Sequence, residues 1–184
     1  MREAENIREV EKLDIDFMGF IFWPRSSRCV SQPPTYMPTR CKRIGVFVDA
    51  STDEIIQKIH DFSLNAIQLH GNESPEQISH LLTLTSHLSI IKAFNISTAE
   101  DLKSTESYTD LVDYFLFDTK GPSVGGNGEK FDWSILDSYD GPTPFLLSGG
   151  IGPDDAARVS SFHHPKCAGI DLNSKFEYAP ALKN

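Results

Sequence analysis

Short apolar runs alternate with amphipathic segments along most of the chain. Residues 4–13 carry Ile7, Val10 and Leu13 at helical spacing, which predicts an amphipathic helix. The apolar run that follows, 17–22, is uninterrupted by polar positions, which is typical of a parallel strand covered on both faces. The predicted strands are 17–22, 44–48, 66–69, 88–93, 114–117, 145–147 and 168–170.

Helix start signals stand between these strands. Capping boxes are predicted at Ser51, Ser74 and Ser97, and Pro75 occupies the first helical position after the second of them. Counted in this way, the chain has seven strands and seven helices, spaced by roughly the 30 residues of a βαβ unit. Strict alternation of this kind predicts an α/β fold, with a parallel sheet and helices outside it.

Two parallel architectures fit this alternation, a doubly wound sheet and a closed barrel. Doubly wound sheets usually carry a glycine fingerprint after the first strand, and none is present here. The glycines instead follow the last strands, where barrel enzymes often bind phosphate. We therefore predict a single domain, 1–184, with a truncated (β/α)8 TIM barrel fold: seven strands are present and the first is missing before residue 4.

The segment 145–174 holds the clearest candidate site. Gly149 and Gly150 follow one predicted strand, and Asp171, Asn173 and Ser174 follow the next. Small residues at neighbouring strand ends can bring several backbone N–H groups to one phosphate. The alternative is that Gly149 and Gly150 form an ordinary strand-to-helix turn.

Composition and charge limit the classes of binding partner. The net charge is −9 with no block of Lys and Arg, which argues against nucleic acid or an anionic membrane surface. No apolar run approaches the length of a spanning helix, and the charged first residues are unlike a signal peptide, so we expect a cytoplasmic location. The three cysteines fit no paired motif, so we expect neither disulfides nor a metal site.

Several motifs resemble, in order and spacing, those of phosphoribosylanthranilate isomerase. They are GFIFWPRSSR at 19–28, GVFV at 45–48, QLHG at 68–71, FDT at 117–119, LSGGI at 147–151 and GIDLNS at 169–174. The resemblance implies a (β/α)8 barrel of tryptophan biosynthesis. It also implies an isomerase that converts an N-linked phosphoribosyl anthranilate into a deoxyribulose phosphate by an Amadori rearrangement, with no metal or organic cofactor.

The chain departs from that family at both ends. Family members begin with a strand ending in Cys-Gly-Met, whose cysteine is the general base, whereas this sequence starts at the methionine. The sequence also stops before the family's last helix. We expect an isomerase impaired by loss of this base, through either a late start codon or a real truncation. An open barrel edge would allow self-association.

The resemblance also implies residue roles. Asp118 is the general acid that protonates the ribose ring oxygen, although an Asp in such a place is also a common helix cap. The remaining implied ligand-binding residues are Arg28 for the anthranilate carboxylate, Asp171 and His70 for other polar groups, and Gly149, Gly150, Asn173 and Ser174 for the phosphate. A surface arginine and a structural histidine are the alternatives for Arg28 and His70.

Other functions of a phosphate-binding barrel stay open. An indole-glycerol-phosphate synthase or a ribulose-phosphate epimerase would need a lysine at a strand end or metal-ligating histidines, and Lys92 is the only lysine inside a predicted strand. A non-catalytic binding module is the third possibility. The Gly-rich segment 119–130 is predicted to be a lid over the ligand.

Overall fold

The structure is a computed structural model that describes residues 1–85, 87–119 and 132–184. The chain divides into two compact units, the first made of Met1–Ile90 with Glu177–Asn184 and the second of Ile91–Phe176. That all 184 residues form one domain stays a prediction.

The first unit contains three parallel strands in the order β1-β2-β3. They are β1 Phe17–Ile21, β2 Lys42–Phe47 and β3 Ala66–Leu69. Its helices are α1 Ala4–Val10, α2 Thr52–Phe62 and α3 Pro75–Leu84, and a 3-10 turn, Glu11–Leu13, continues α1. Two short antiparallel strands, β8 Glu177–Ala179 and β9 Leu182–Lys183, also belong to this unit.

Helix α2 shows how the sequence pattern becomes structure. Ser51 Oγ accepts from the Glu54 N–H at 3.3 Å, and the Glu54 carboxylate accepts from the Ser51 N–H at 2.9 Å, which confirms the predicted capping box. The helix buries Phe62, whose ring lies 4.6 Å from that of Phe22, between centroids. Capping and an apolar stripe together fix where this helix begins and which face it buries.

Strand β1 has an open edge. Backbone groups alternate along a strand, and the Phe22 N–H donates to Val46 O on β2, so the carbonyls of Gly19 and Ile21 face the other way. Gly19 O accepts from the Met1 amino group at 2.7 Å, and Ile21 O accepts from the Val30 N–H at 2.9 Å. Within the described residues no strand pairs with this edge, as the sequence predicted.

The second unit contains the other parallel strands, in the order β4-β5-β6-β7. They are β4 Ser89–Ile96, whose first residues lie in the first unit, β5 Tyr114–Thr119, β6 Phe145–Leu147 and β7 Cys167–Ile170. Among the described residues of this unit, the helical segments are α4 Ala156–Ser161 and four 3-10 helices, Ala99–Tyr108, Trp133–Ser138, Pro153–Asp155 and Ser174–Phe176. An aromatic cluster that includes Phe115, Phe117 and Phe145 forms the core.

Three expectations about this unit were wrong. The helices predicted after β4 and β5 are 3-10 in the structure, and the first of these is capped by Thr98 with Asp101, one residue later than predicted. Strand β7 is not fully buried, since Ile170 is 42% exposed. An apolar run alone does not show whether a second layer covers it. No helix among the described residues is long and apolar enough to cross a membrane.

Candidate active site

The turn after β6 needs glycine. Gly149 and Gly150 have φ angles of 90° and 67°, a region that L-residues with a Cβ adopt only at a cost of about 1–2 kcal/mol each. Two successive glycines adopt these angles without strain and place no side chain of their own on the turn. A backbone of this kind can approach a phosphate closely.

The loop after β7 is joined to this turn. Ser148 Oγ donates to Asp171 Oδ2 at 3.0 Å, and the Asp171 N–H donates to Leu147 O at 2.8 Å. A Cβ added to Gly152 would lie 3.3 Å from the Lys175 Cβ, so the two loops stay in contact further along. The predicted phosphate residues Gly149, Gly150, Asn173 and Ser174 therefore lie on two loops that the structure holds side by side.

The Gly150 conformation leads to a stability prediction. Gly150→Ala is expected to lower the free energy of unfolding by about 1–2 kcal/mol, because alanine must adopt the left-handed region there. Urea denaturation measures the change. Gly169→Ala in β7 is the control: its added Cβ would lie 3.5 Å from Leu146 Cδ2, an ordinary contact, and should change the free energy by less than about 0.5 kcal/mol. Equal effects of the two substitutions would contradict the role of the turn.

Asp118 lies at the same end of the neighbouring strand. It follows Phe117 on β5, and Phe117 O accepts from the Ser148 N–H at 2.9 Å. Asp118 is 6% exposed, so its carboxyl group is largely shielded from water. Strands β5, β6 and β7 thus bring Asp118, the glycine turn and Asp171 to one edge of the sheet, which is the edge where parallel α/β enzymes bind ligands.

Arg28 and His70 belong to the first unit. Arg28 follows β1, and its Nη2 lies 2.7 Å from Glu177 Oε2. His70 follows β3, and its Nδ1 lies 3.0 Å from Gln68 Nε2. Because the amide nitrogen of Gln68 can only donate, His70 Nδ1 accepts and a neutral ring carries its proton on Nε2.

Two further observations bear on the site. Among residues 1–85, 87–119 and 132–184, no group of three or more His, Cys, Asp or Glu side chains could hold a metal ion. Residues 120–131, which include most of the segment predicted to be a lid, lie outside the described part of the chain.

Parallel strands that alternate with helices and carry polar residues at their carboxyl ends place the chain in the class of α/β barrel proteins, which bind their ligands at that edge. A family model described as "N-(5'phosphoribosyl)anthranilate (PRA) isomerase" matches residues 1–183. The chain belongs to the N-(5'-phosphoribosyl)anthranilate isomerase family. This confirms the predicted family over other phosphosugar barrels.

Individual relatives agree with the family match. The chain is 51% identical to an N-(5'-phosphoribosyl)anthranilate isomerase of Phocaeicola vulgatus, covering 100% of this chain and 89% of that protein. It is 50% identical to one of Parabacteroides distasonis, covering 100% of this chain and 85% of the relative. High identity over nearly the full length of both proteins makes the relationship unambiguous.

Solved structures confirm the fold class. The crystal structure of the isomerase from Thermotoga maritima matches with a TM-score of 0.80 and 27% identity, covering 100% of this chain and 89% of that chain. An isomerase in complex with reduced 1-(o-carboxyphenylamino)-1-deoxyribulose 5-phosphate matches with a TM-score of 0.75 and 25% identity, covering 100% of this chain and 92% of that chain. The predicted α/β barrel fold with seven parallel strands is therefore correct.

Two residues of interest escaped prediction from sequence. Ser148 was noted only as part of the motif LSGGI at 147–151, yet its hydroxyl joins the loops after β6 and β7. Glu177 is 149 residues from Arg28, so no local pattern links them. A small hydroxyl residue at a strand end was a usable signal for Ser148, whereas Glu177 offered none.

Proposed function

We propose that the chain catalyses the isomerisation of N-(5'-phosphoribosyl)anthranilate to 1-(2-carboxyphenylamino)-1-deoxyribulose 5-phosphate, a step of tryptophan biosynthesis. The observation that carries the proposal is the arrangement of Asp118, the glycine turn and Asp171 at one sheet edge in a chain of this family. The charged substrate does not cross membranes unaided. We therefore take the cytoplasm as the location of the reaction.

Each residue has a role in this proposal. Asp118 donates a proton to the ribose ring oxygen as the C1–O bond breaks, which opens the ring to a Schiff base. Asp171, held by the Ser148 hydroxyl, accepts hydrogen bonds from the amino or hydroxyl groups of the ligand. The backbone at Gly149, Gly150, Asn173 and Ser174 receives the phosphate. Arg28 pairs with the anthranilate carboxylate and His70 with another polar group of the ligand.

Removal of the C2 proton needs a base. In the resemblance this base is a cysteine two residues before the methionine of Cys-Gly-Met, and the 184 residues hold no cysteine in that position. We expect the 184 residues by themselves to bind the substrate and to turn it over slowly. The phosphate loops would still hold the substrate, and general acid catalysis would still open the sugar ring.

The direct test is an assay with freshly made phosphoribosyl anthranilate. Loss of anthranilate fluorescence reports turnover, and calorimetry with reduced 1-(o-carboxyphenylamino)-1-deoxyribulose 5-phosphate reports binding. We expect measurable binding and slow conversion. Binding with no conversion, even after a base is restored, would favour a non-catalytic phosphate-binding protein. Absence of both would contradict the proposal.

We also propose self-association through the β7 edge. Ile170 and Leu172 are 42% and 39% exposed, and no strand pairs with the outer edge of β7 in the part of the chain described. Ile170→Lys should weaken association at least about tenfold in sedimentation equilibrium, because it places a charge on this edge. Leu84→Lys, at an exposed position on α3, is the control and should have no effect. A wild-type chain that stays monomeric at high concentration would contradict this proposal.

A further inference from the structure

The two loops of the candidate phosphate site carry an excess of negative charge. The loop after β6, residues 148–155, ends in Asp154 and Asp155, and the segment after β7, residues 171–176, begins with Asp171. Lys175 is the one cationic residue in either segment. A phosphate monoester adds a charge of about −1.5 to −2 near neutral pH. The three carboxylates therefore oppose phosphate binding at the glycine turn, and a nearby cation would favour it.

Lys175 lies against the loop that continues from the glycine turn. A Cβ added to Gly152 would lie 3.3 Å from Lys175 Cβ and 3.5 Å from Lys175 Cγ. Gly152 is two residues from Gly150, so the Cα atoms of these two glycines are no more than about 7.6 Å apart. The base of the Lys175 side chain is therefore close to the turn, and a flexible four-carbon stem carries its ammonium group.

The other described cations of the second unit are already engaged. Their contacts, in chain order, are Lys92 Nζ to Ala93 O, Lys103 Nζ to Glu100 Oε1, the Arg158 guanidinium to the Trp133 ring, and Lys166 Nζ to Pro142 O. Lys175 is exposed and forms no hydrogen bond or ion pair with any residue that the structure describes. Its ammonium group can therefore meet a ligand without first breaking a contact within the described chain.

We propose that Lys175 is a further phosphate-binding residue, whose ammonium group attracts the phosphate held by the backbone of the glycine turn. The inference rests on the proposed function, which places the phosphate at Gly149, Gly150, Asn173 and Ser174. A lysine suits this task because its ammonium group is a compact point charge with three rotatable donors. The backbone N–H groups fix the position of the phosphate, and Lys175 adds an attraction that depends on ionic strength.

NMR titration of the full chain with inorganic phosphate tests the inference. The reporters are the backbone N–H signals of Gly149 and Gly150, which should shift as phosphate binds to the wild type. Lys175→Gln removes the charge and should weaken phosphate binding about fivefold, which is the upper range for an exposed ion pair. Lys175→Arg keeps the charge and should bind phosphate within about twofold of the wild type.

Ionic strength separates an electrostatic role of Lys175 from a structural one. Calorimetry with reduced 1-(o-carboxyphenylamino)-1-deoxyribulose 5-phosphate measures the affinity of the wild type and of Lys175→Gln at two salt concentrations. Raising the salt from about 0.1 M to about 1 M shortens the screening length from roughly 10 Å to 3 Å. The difference in affinity between the two proteins should therefore shrink as the salt is raised. A loss caused by a disturbed loop would be the same at both salt concentrations.

Lys103→Gln is the matched control. It removes the same charge from an exposed position of the same unit, where Lys103 Nζ lies 2.9 Å from Glu100 Oε1. The change in the net charge of the protein is identical, so any effect of net charge alone appears in both variants. Lys103→Gln should leave the affinity for inorganic phosphate and for the reduced ligand within about twofold of the wild type at both salt concentrations.

The outcomes separate this inference from the proposed function. If phosphate shifts the signals of Gly149 and Gly150 equally well in the wild type and in Lys175→Gln, the phosphate site stands and the inference about Lys175 is overturned. Equal weakening by Lys175→Gln and Lys103→Gln, or by Lys175→Gln and Lys175→Arg, also overturns it. So does a loss of affinity for the reduced ligand without any loss for inorganic phosphate. If phosphate does not shift the two glycine signals in the wild type, the proposed phosphate site is wrong and the inference fails with it.

Discussion

A version of the protein extended by Lys-x-Cys-Gly before Met1 is expected to turn over phosphoribosyl anthranilate at least about a hundredfold faster than the 184 residues alone. The physical reason is that abstraction of the C2 proton needs a base, and general-base catalysis contributes about 10²–10⁴-fold. The open edge of β1 already receives the Met1 amino group at Gly19 O. Added residues would continue along that edge and place the new cysteine beside the strand.

The matched control is the same extension with serine in place of the added cysteine. It supplies the same backbone without a thiolate, so turnover should stay slow. Loss of anthranilate fluorescence measures turnover by the original chain, the cysteine extension and the serine extension. Equal rates for the original and extended chains would show that another residue is the base. Cys29, which lies in the loop after β1, would then be the first candidate, and Cys29→Ser would test it.

Asp118→Asn in the extended protein is expected to abolish most of the regained activity, by about 10²–10⁴-fold in kcat. Asparagine keeps the size of the side chain but has no carboxyl proton to give to the ring oxygen. Asp118 is buried at the end of β5, whereas Asp137 in the 3-10 helix Trp133–Ser138 is exposed. Asp137→Asn therefore serves as the control and should leave kcat unchanged.

The unfolding midpoint in urea adds a second readout for Asp118. Loss of a general acid should lower kcat and leave the midpoint unchanged, whereas a purely structural effect would lower both. If Asp118→Asn retains the parent rate, the general acid must be another residue.

The sequence predicted the bounds of the strands better than the type of the helices. The predicted bounds of β3 and β6 agree with the structure, because both are short apolar runs between clear breaks. The helices after β4 and β5 are 3-10 in the structure, and length does not explain the difference, because Ala99–Tyr108 is as long as the α-helix α3. The burial of β7 could not be read from its residues, because it depends on what packs over them.

The site was predictable where its chemistry is local. The pair Gly149 and Gly150 predicts a turn that only glycine adopts easily, and the φ angles of 90° and 67° confirm it. The bond between Ser148 and Asp171 and that between Arg28 and Glu177 join separate segments. Such pairs are fixed by tertiary packing, so neither residue's neighbours in sequence reveal its partner.

The contacts of Asn6 with Lys183 and of Arg28 with Glu177 also affect how the chain folds during synthesis. They join residues 177 and 149 positions apart, so the first unit lacks β8 and β9 until those residues have been synthesised. At a synthesis rate of about 5–20 residues per second, Arg28 waits on the order of ten seconds for its carboxylate. During that interval α1 and Arg28 lack the groups that later contact them, and we expect the incomplete unit to bind chaperones more readily than the finished one.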